Sequence, residues 1–457
     1  MMKYKLGALV AAGLLAGGMS ATSSTSAFAA DLGGNCCADL EERIAELEAT
    51  TARKGNRKVS LTVSGWVSQQ VMFWDDGQES NVYVHDLGTT LGSHVKFTGQ
   101  ATIVPGWSAG YVLHLEAMGS DSLTQSQLVV DGPSVLTGTS NGVGTLQSFW
   151  FIKSDQLGKV SVGKQSQASD NTAILVDGSG SLVPANWVSF DVNSFFIRNS
   201  ATGNLSSLTW GGAGGCVWGD CNGLPTNSVR YDSPSFGGFS VSASWGEDDF
   251  WDVAARYAGE WADFKIAAAG AFSHVSDTSG SANALTVNTA QPAGSDYFQA
   301  GLYIEHIPTG LFAYGAYGHL DPDSSLVLND SANNTWYAKG GIRQRWTPLG
   351  HTVLYGEYLR AENNNSTTNI LVGPGDGNGG GVGDFSGPDF VGESTVKVWG
   401  LGVVQEIDAA AMSVWVKYRH LSADTSGTNA FATDDFDYVG TGALINFRSD
   451  AHKISKS

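Results

Sequence analysis

From Val59 onward, apolar and polar positions alternate with a period of two. Leu61, Val63, Gly65, Val67, Val71 and Phe73 share one face, and Ser60, Thr62, Ser64, Ser68 and Gln70 share the other. The pattern returns at Val95, Phe97, Ala101 and Ile103 against His94, Lys96, Thr98, Gln100 and Thr102. It returns again at Phe239 to Trp245, Trp251 to Tyr257 and Met412 to Tyr418. Such alternation predicts strands with one apolar and one polar face. Strands are expected near 59–74, 92–104, 108–118, 145–153, 159–167, 227–233, 239–247, 250–258, 262–275, 296–307, 310–320, 335–346, 350–361, 394–407, 411–423 and 436–447. Tight links such as Pro105-Gly106 and Pro308-Thr309 take turns with long ones such as 119–144, 168–226 and 362–393; only 247–249 breaks the alternation. Short turns at one end and long loops at the other describe a closed membrane barrel, and a soluble sandwich has no reason to alternate so regularly.

The apolar-both-ways stretches Phe149 to Ile152, Gly310 to Gly318 and Val398 to Val404 cannot be oriented by this pattern. The strand TWYAKGGIRQRW can. Trp336 and Trp346 lie ten residues apart on one face, about 25 Å along the membrane normal for a tilted strand, and read as two aromatic girdles. The other face carries Lys339, Arg343 and Arg345, which cannot point at lipid and so should line water.

The longest gap between predicted strands is Ala168 to Thr226. A structureless insert of that length is unusual in a compact domain unless it is functional. We expect it to fold into the lumen as the third long loop and narrow the channel. The full fold expectation is an all-β, sixteen-stranded antiparallel transmembrane β-barrel over residues 56–447, with 168–226 as its constriction loop. A short helix over 30–55 should precede it, and 448–457 should form a tail.

Residues 1–29 read as a signal peptide: Lys3 and Lys5, an apolar stretch from Leu6 to Met19, and a small-x-small site at Ala27-Phe28-Ala29. Leu40, Ile44, Leu47 and Thr51 make little more than one heptad, a seam too short to hold a coiled coil alone. Composition agrees with a lipid-facing barrel. Charged residues are only 15% against 59 Gly and 14 Trp, and ordinary soluble domains carry about 25% charge. The formal charge of −19, more negative still once two lysines leave with the signal, argues against nucleic acid.

With this architecture in hand, the chain resembles the alphaproteobacterial general porins of rhizobia and brucellae. The segments that carry the resemblance are CCADLEERIAELE before KVSLTVSGWV, VRYDSPSFGGFSVSASWGEDD, GLYIEHIPTGLFAYGAYG and IRQRWTPLGHTVLYGEY. It implies a homotrimer of sixteen-stranded barrels in the outer membrane of a Gram-negative cell, passing small hydrophilic solutes and ions passively. Partners would be the lipid bilayer and lipopolysaccharide. Such porins usually end on an aromatic residue, whereas here RSDAHKISKS follows Phe447.

The candidate chemistry is electrostatic and steric filtering at a wet constriction. The insert offers Asp170, Asp177 and Asp191, and the wall offers Lys96, Arg230, Arg256, Lys339, Arg343, Arg345, Lys417 and Arg419. Opposed rows would orient water and favour polar solutes, unless they pair with each other. Cys216 and Cys221 should staple the insert in an oxidising compartment, with free thiols or a metal site as alternatives; Cys36 and Cys37 are adjacent and unlikely to bridge each other. No cofactor is expected, and the four cysteines lack histidines at zinc-ligand spacing. Gly106 to Gly110 matches G-x-S-x-G, but a Pro-Gly turn into a strand is not the strand-to-helix elbow that motif needs, so no enzyme is expected. A sugar-selective channel is the alternative, with Trp66 and Trp187 as stacking surfaces; an outer-membrane enzyme or adhesin is a more distant one.

Overall fold

The structure, a computed structural model, describes residues 59–246, 249–276, 291, 294–322, 332–367 and 391–448. The expected signal peptide, N-terminal helix, Cys36, Cys37 and the tail beyond Arg448 lie outside them.

Nineteen strands are described. The first six are β1 (Thr62–Asp75), β2 (Ser80–His85), β3 (His94–Val104), β4 (Trp107–Met118), β5 (Gly142–Ser154) and β6 (Gly158–Gln165). Two short ones, β7 (Phe196–Arg198) and β8 (Leu205–Thr209), form a separate hairpin. Then come β9 (Thr226–Asp232), β10 (Phe239–Gly246), β11 (Trp251–Trp261), β12 (Phe264–Val275), β13 (Ser295–His306) and β14 (Leu311–Pro322). The last are β15 (Asn333–Thr347), β16 (Gly350–Thr367), β17 (Val391–Ile407), β18 (Met412–Thr428) and β19 (Phe436–Arg448).

Every neighbour in the barrel is antiparallel, and the sheet closes where β1 pairs β19 from Ser64 opposite Arg448 to Asp75 opposite Asp437. β2 pairs the upper part of β1 and β3 its lower part, so these two are pieces of one stave, interrupted by residues 86–93. Counted as staves, the barrel has sixteen. The expected second strand therefore lacked its upper piece, because Asn81 and the exposed Val82 and Val84 follow the acidic turn DDGQE too closely to stand out. Among the described residues no helix is long and apolar enough to cross a membrane.

The short turns have local causes. Gly106 takes the positive φ that the Pro105-Gly106 turn requires. Ala262 and Asp263 are both left-handed between the paired Trp261 and Phe264, the two-residue geometry that matches strand twist.

Alternation sorts the faces. Val67, Phe73, Val241, Trp245, Val253, Leu302 and Leu401 are exposed outward, while Ser68, Gln70, Ser242, Ser244, Asp252 and Gln299 are buried inward. Trp336 and Trp346 are both outward, 41% and 55% exposed. The strands that could not be oriented now have a reason for their pattern. Phe312, Tyr314 and Ala316 of β14 and Val396, Val398 and Val404 of β17 point inward and still are buried, because they pack against the insert. Trp399 and Leu401 take the outer face.

Candidate functional site: the luminal insert

The stretch from Ala168 to Thr226 enters the barrel and makes two tiers. Its lower pass, 168–192, runs along the inner wall. Ser244 of β10 accepts from the Ala168 amide at 3.0 Å, and Arg256 of β11 donates to the Ala168 carbonyl and to Thr172. Gln299 of β13 binds the Ala173 amide, and the Tyr314 hydroxyl of β14 donates to the Ala173 carbonyl at 2.8 Å. Gly301 lies under this crossing. A Cβ there would meet the Ala173 carbonyl oxygen and stand 2.9 Å from its Cα, so only glycine lets the backbone pass.

The pass then reaches β15. Lys339 Nζ binds Asp177 at 2.5 Å and the Ala185 carbonyl at 2.8 Å, with the two charged side chains 0% and 1% exposed. At Gly180 the chain turns with φ +83°, and a Cβ would lie 2.7 Å from a Glu406 oxygen and 3.1 Å from Arg343 Nε. Arg343 grips Glu406 with both ends of its guanidinium. Arg419 of β18 does the same with Glu357 and donates to the Asn186 carbonyl. Asp191 ends the pass among Lys417 at 2.6 Å, Gln70 at 2.9 Å and Tyr438 at 2.9 Å. Burial alone would push the Asp191 carboxyl up, but the charge and hydrogen bond of Lys417, together with His85 and Arg419, hold it below the usual carboxylate range.

The upper tier, 193–225, returns above. The β7–β8 hairpin sets Arg198 on Asp76 and Glu79 at the first long-loop turn. A one-turn helix, Trp210–Gly214, is capped by the Thr209 hydroxyl accepting from the Gly212 amide. Its carbonyls take hydrogen bonds from Asn363 of β16 and Ser394 of β17. Cys216 and Cys221 form a disulfide that packs with Tyr297 and Leu320 at the long-loop ends of β13 and β14. The sequence pattern predicted no strand here; the hairpin is too short to show a period, and its partners are across the lumen.

The placement of the candidate charges is therefore specific. Asp177 and Asp191 of the insert meet Lys339 and Lys417 of the wall in two separate direct pairs, while Arg419 pairs with Glu357 and holds the insert through the Asn186 carbonyl. Arg256 and Arg230 hold its entry, Arg230 binding the Ser166 and Gln167 carbonyls as well as Asp232. Arg343 sits at its turn. Arg345 stands apart, at the short-turn end, on Asp408. Lys96 has no hydrogen-bond or ion partner among the described residues, and it faces inward on β3 next to His114 on β4. Asp170 is buried beside Asp220; burial first, then the Asp220 charge, raises its carboxyl well above the usual range. Burial lifts Asp220 to about 7. Sequence reasoning missed Glu357, Glu406 and Asp220, the first two because they read as strand acids without visible partners. Trp66 and Trp187 are both buried within the core that the insert forms with the wall.

The hydrogen bonds on the lower pass come from β10, β11, β13, β14, β15, β18, β19 and β1. The inward residues of β3 and β4 make none with it among the described residues. Gly106 to Gly110 spans a tight turn and the start of β4, with Ser108 in the strand.

Such a barrel with a loop lodged in it has a known setting. A family model described as Gram-negative porin matches residues 8–444. The chain belongs to that family. Among curated proteins no match is found. Solved structures are similar to this chain at low identity. The anion-selective porin from Comamonas acidovorans is 14% identical with a TM-score of 0.52, covering 85% of this chain and 100% of its own. OmpT of Vibrio cholerae, folded in vitro, is 12% identical at 0.49, covering 87% and 100%. An OmpF from Salmonella typhi, complexed with daunomycin, is 11% identical at 0.46, covering 86% and 99%. This porin is a transmembrane β-barrel of the outer membrane, forming a water-filled channel for passive diffusion.

Proposed function

We propose that this porin is a general-diffusion channel of the alphaproteobacterial type, working as a homotrimer seated among lipid and lipopolysaccharide and passing small hydrophilic solutes and ions without catalysis. The subgroup rests on the resemblance of the quoted segments, and the trimer on the same resemblance. The observation that carries the diffusion reading is the one-sided docking of the insert's lower pass, since the upper tier also binds Leu123 and Gln127 of the loop between β4 and β5. The lower pass is held to the arc from β10 round to β1, which leaves the inward residues Lys96, Thr98, Gln100 and Ser108 of β3 and β4 to line a passage. A polar wall facing a lodged loop selects by size and charge rather than by a fitted site.

Within this reading the constriction charges divide. Lys339, Lys417 and Arg419, with Asp177 and Asp191, anchor the insert and so set the width of the passage. A cation compensated by a carboxylate at hydrogen-bond distance projects little net field. Lys96, which has no such carboxylate among the described residues, is the free charge we assign to ion selection, and Arg343 bears on it only through Glu406, the carboxylate it neutralises at the turn of the insert; Arg230, Arg256 and Asp170 shape the entry. Trp336 and Trp346 serve as the girdles, and Arg345 lies toward the short-turn mouth. A sugar-selective channel would need exposed aromatic faces, and burial of Trp66 and Trp187 removes the two it would have used.

Single-channel recordings in planar bilayers test this. Wild type should give stable conductance that sugars do not block in a saturable way. Reversal potentials should move toward cation preference for Lys96→Glu, and for Arg343→Glu as well. An unchanged reversal potential in either variant removes that residue from the selecting set, and saturable sugar block would overturn general diffusion.

A further inference from the structure

We propose that His94, His114 and Glu116 form a binding site for a divalent transition-metal ion of the zinc class on the inner wall. The three side chains come together through hairpin register. β3 and β4 pair with His94 opposite Glu116 and Lys96 opposite His114, so His94, His114 and Glu116 all point inward from adjacent strands. Their donor atoms lie within 4.8 Å of one another. A zinc ion bound at about 2.0–2.2 Å holds its ligand atoms roughly 3.4 Å apart, so closing the site takes small side-chain rotations and no backbone change.

What points to a ligand is the state of the donors. His114 is 5% exposed and neither of its ring nitrogens has a partner; Glu116 is 1% exposed and one of its oxygens, Oε1, has none. Burying unpartnered polar atoms costs about 1–3 kcal/mol each, and such groups call for an explanation. The remaining atoms are already oriented. His94 Nδ1 lies 3.1 Å from the Gly92 carbonyl, which as a donor contact leaves Nε2 with its lone pair. The other Glu116 oxygen accepts from the Thr90 amide at 3.2 Å. Backbone contacts that fix the far side of a histidine and a carboxylate are the usual outer support of a metal ligand set. Both come from residues 86–93, the break between β2 and β3, so the interruption of the second stave supplies that support.

The donor chemistry selects the ion. Two imidazoles and one carboxylate suit zinc, copper or nickel; magnesium and calcium require oxygen donors. Lys96, on the same face, opposes any weakly held cation and narrows the choice to ions that bind nitrogen strongly. Three protein ligands leave a further position for water.

The test titrates Zn²⁺ alone and Co²⁺ alone into the purified full chain in detergent. One ion per chain is expected, with no binding of Mg²⁺ or Ca²⁺ at the same concentrations. Co²⁺ should show the intense visible absorption of a low-coordinate, nitrogen-ligated ion. His114→Gln and Glu116→Gln should each weaken Zn²⁺ binding at least about tenfold, while His306→Gln, at the short-turn end of β13, should leave it unchanged. Native folding of each variant is checked by heat-modifiable mobility. Should a variant not fold, the wild-type Co²⁺ spectrum decides. Wild type without that absorption, or equal Zn²⁺ affinity in the folded His114→Gln protein, overturns the proposal.

Discussion

At the level of single residues, the insert is fixed by charges that leave water completely. Lys417 and Asp191 are 5% and 4% exposed, and removing one member strands the other. Breaking a buried pair from one side costs about 3–5 kcal/mol, whereas replacing both with apolar side chains of similar volume is often neutral. Lys417→Met should therefore make the insert open to protease at lower temperature, and Lys417→Met with Asp191→Leu should recover much of the loss. A double variant worse than the single would mean that the pair itself, not the stranded charge, holds the loop. A second residue-scale effect depends on pH. Asp170 and Asp220 have folded-state affinities for protons raised above those of the unfolded chain, Asp220 to about 7. A raised group contributes stability that is full at low pH and fades as pH rises through the folded value. The insert should thus be held more firmly at pH 5.5 than at pH 8.5, read as less open-channel noise and slower proteolysis. Asp220→Asn should flatten that difference; persistence of the full difference would point to other groups.

For elements, the insert is a small fold of its own, carried by a barrel. Its disulfide closes a short loop, worth about 2 kcal/mol by chain-entropy reasoning. Reduction should expose the upper tier around Cys216 to protease while the barrel keeps its heat-modifiable band. Gly301→Val tests the lower pass, since the added side chain must displace the Ala173 backbone; conductance should change while strand content by circular dichroism stays constant. The staves were legible in the sequence because each needs only a two-residue period and a turn, as Trp251 to Tyr257 and Met412 to Tyr418 illustrate. The insert was legible as a gap, not as a structure. Its lower pass is made by partners far away in sequence, Tyr314, Lys339 and Lys417, and no local pattern records them. The same distance hid the ends of the candidate site. Lys339 and Asp177 were both visible as charges, but nothing in their spacing distinguishes facing each other across water from touching. His94 and His114 could have been found: counting back from the Pro105-Gly106 turn puts them on neighbouring positions of one hairpin.

Taken as a whole molecule, the barrel divides its inner circumference between a packed arc and a polar one. Deleting the lower pass, residues 170–190, should enlarge the passage and raise single-channel conductance severalfold; unchanged conductance would place the narrowest level elsewhere. The cylinder also has a seam, where β1 meets β19 along twelve residue pairs. The two strands are the first and the last described in the sheet, so the first stave finds its neighbour only when the last one is in place. Until then the growing sheet has two unpaired edges, which are templates for association with other chains. The insert touches both sides of that seam, Gln70 on β1 and Tyr438 on β19. Asp191 therefore clasps the seam from inside the lumen, so that the position of the insert and the closure of the barrel share one side chain.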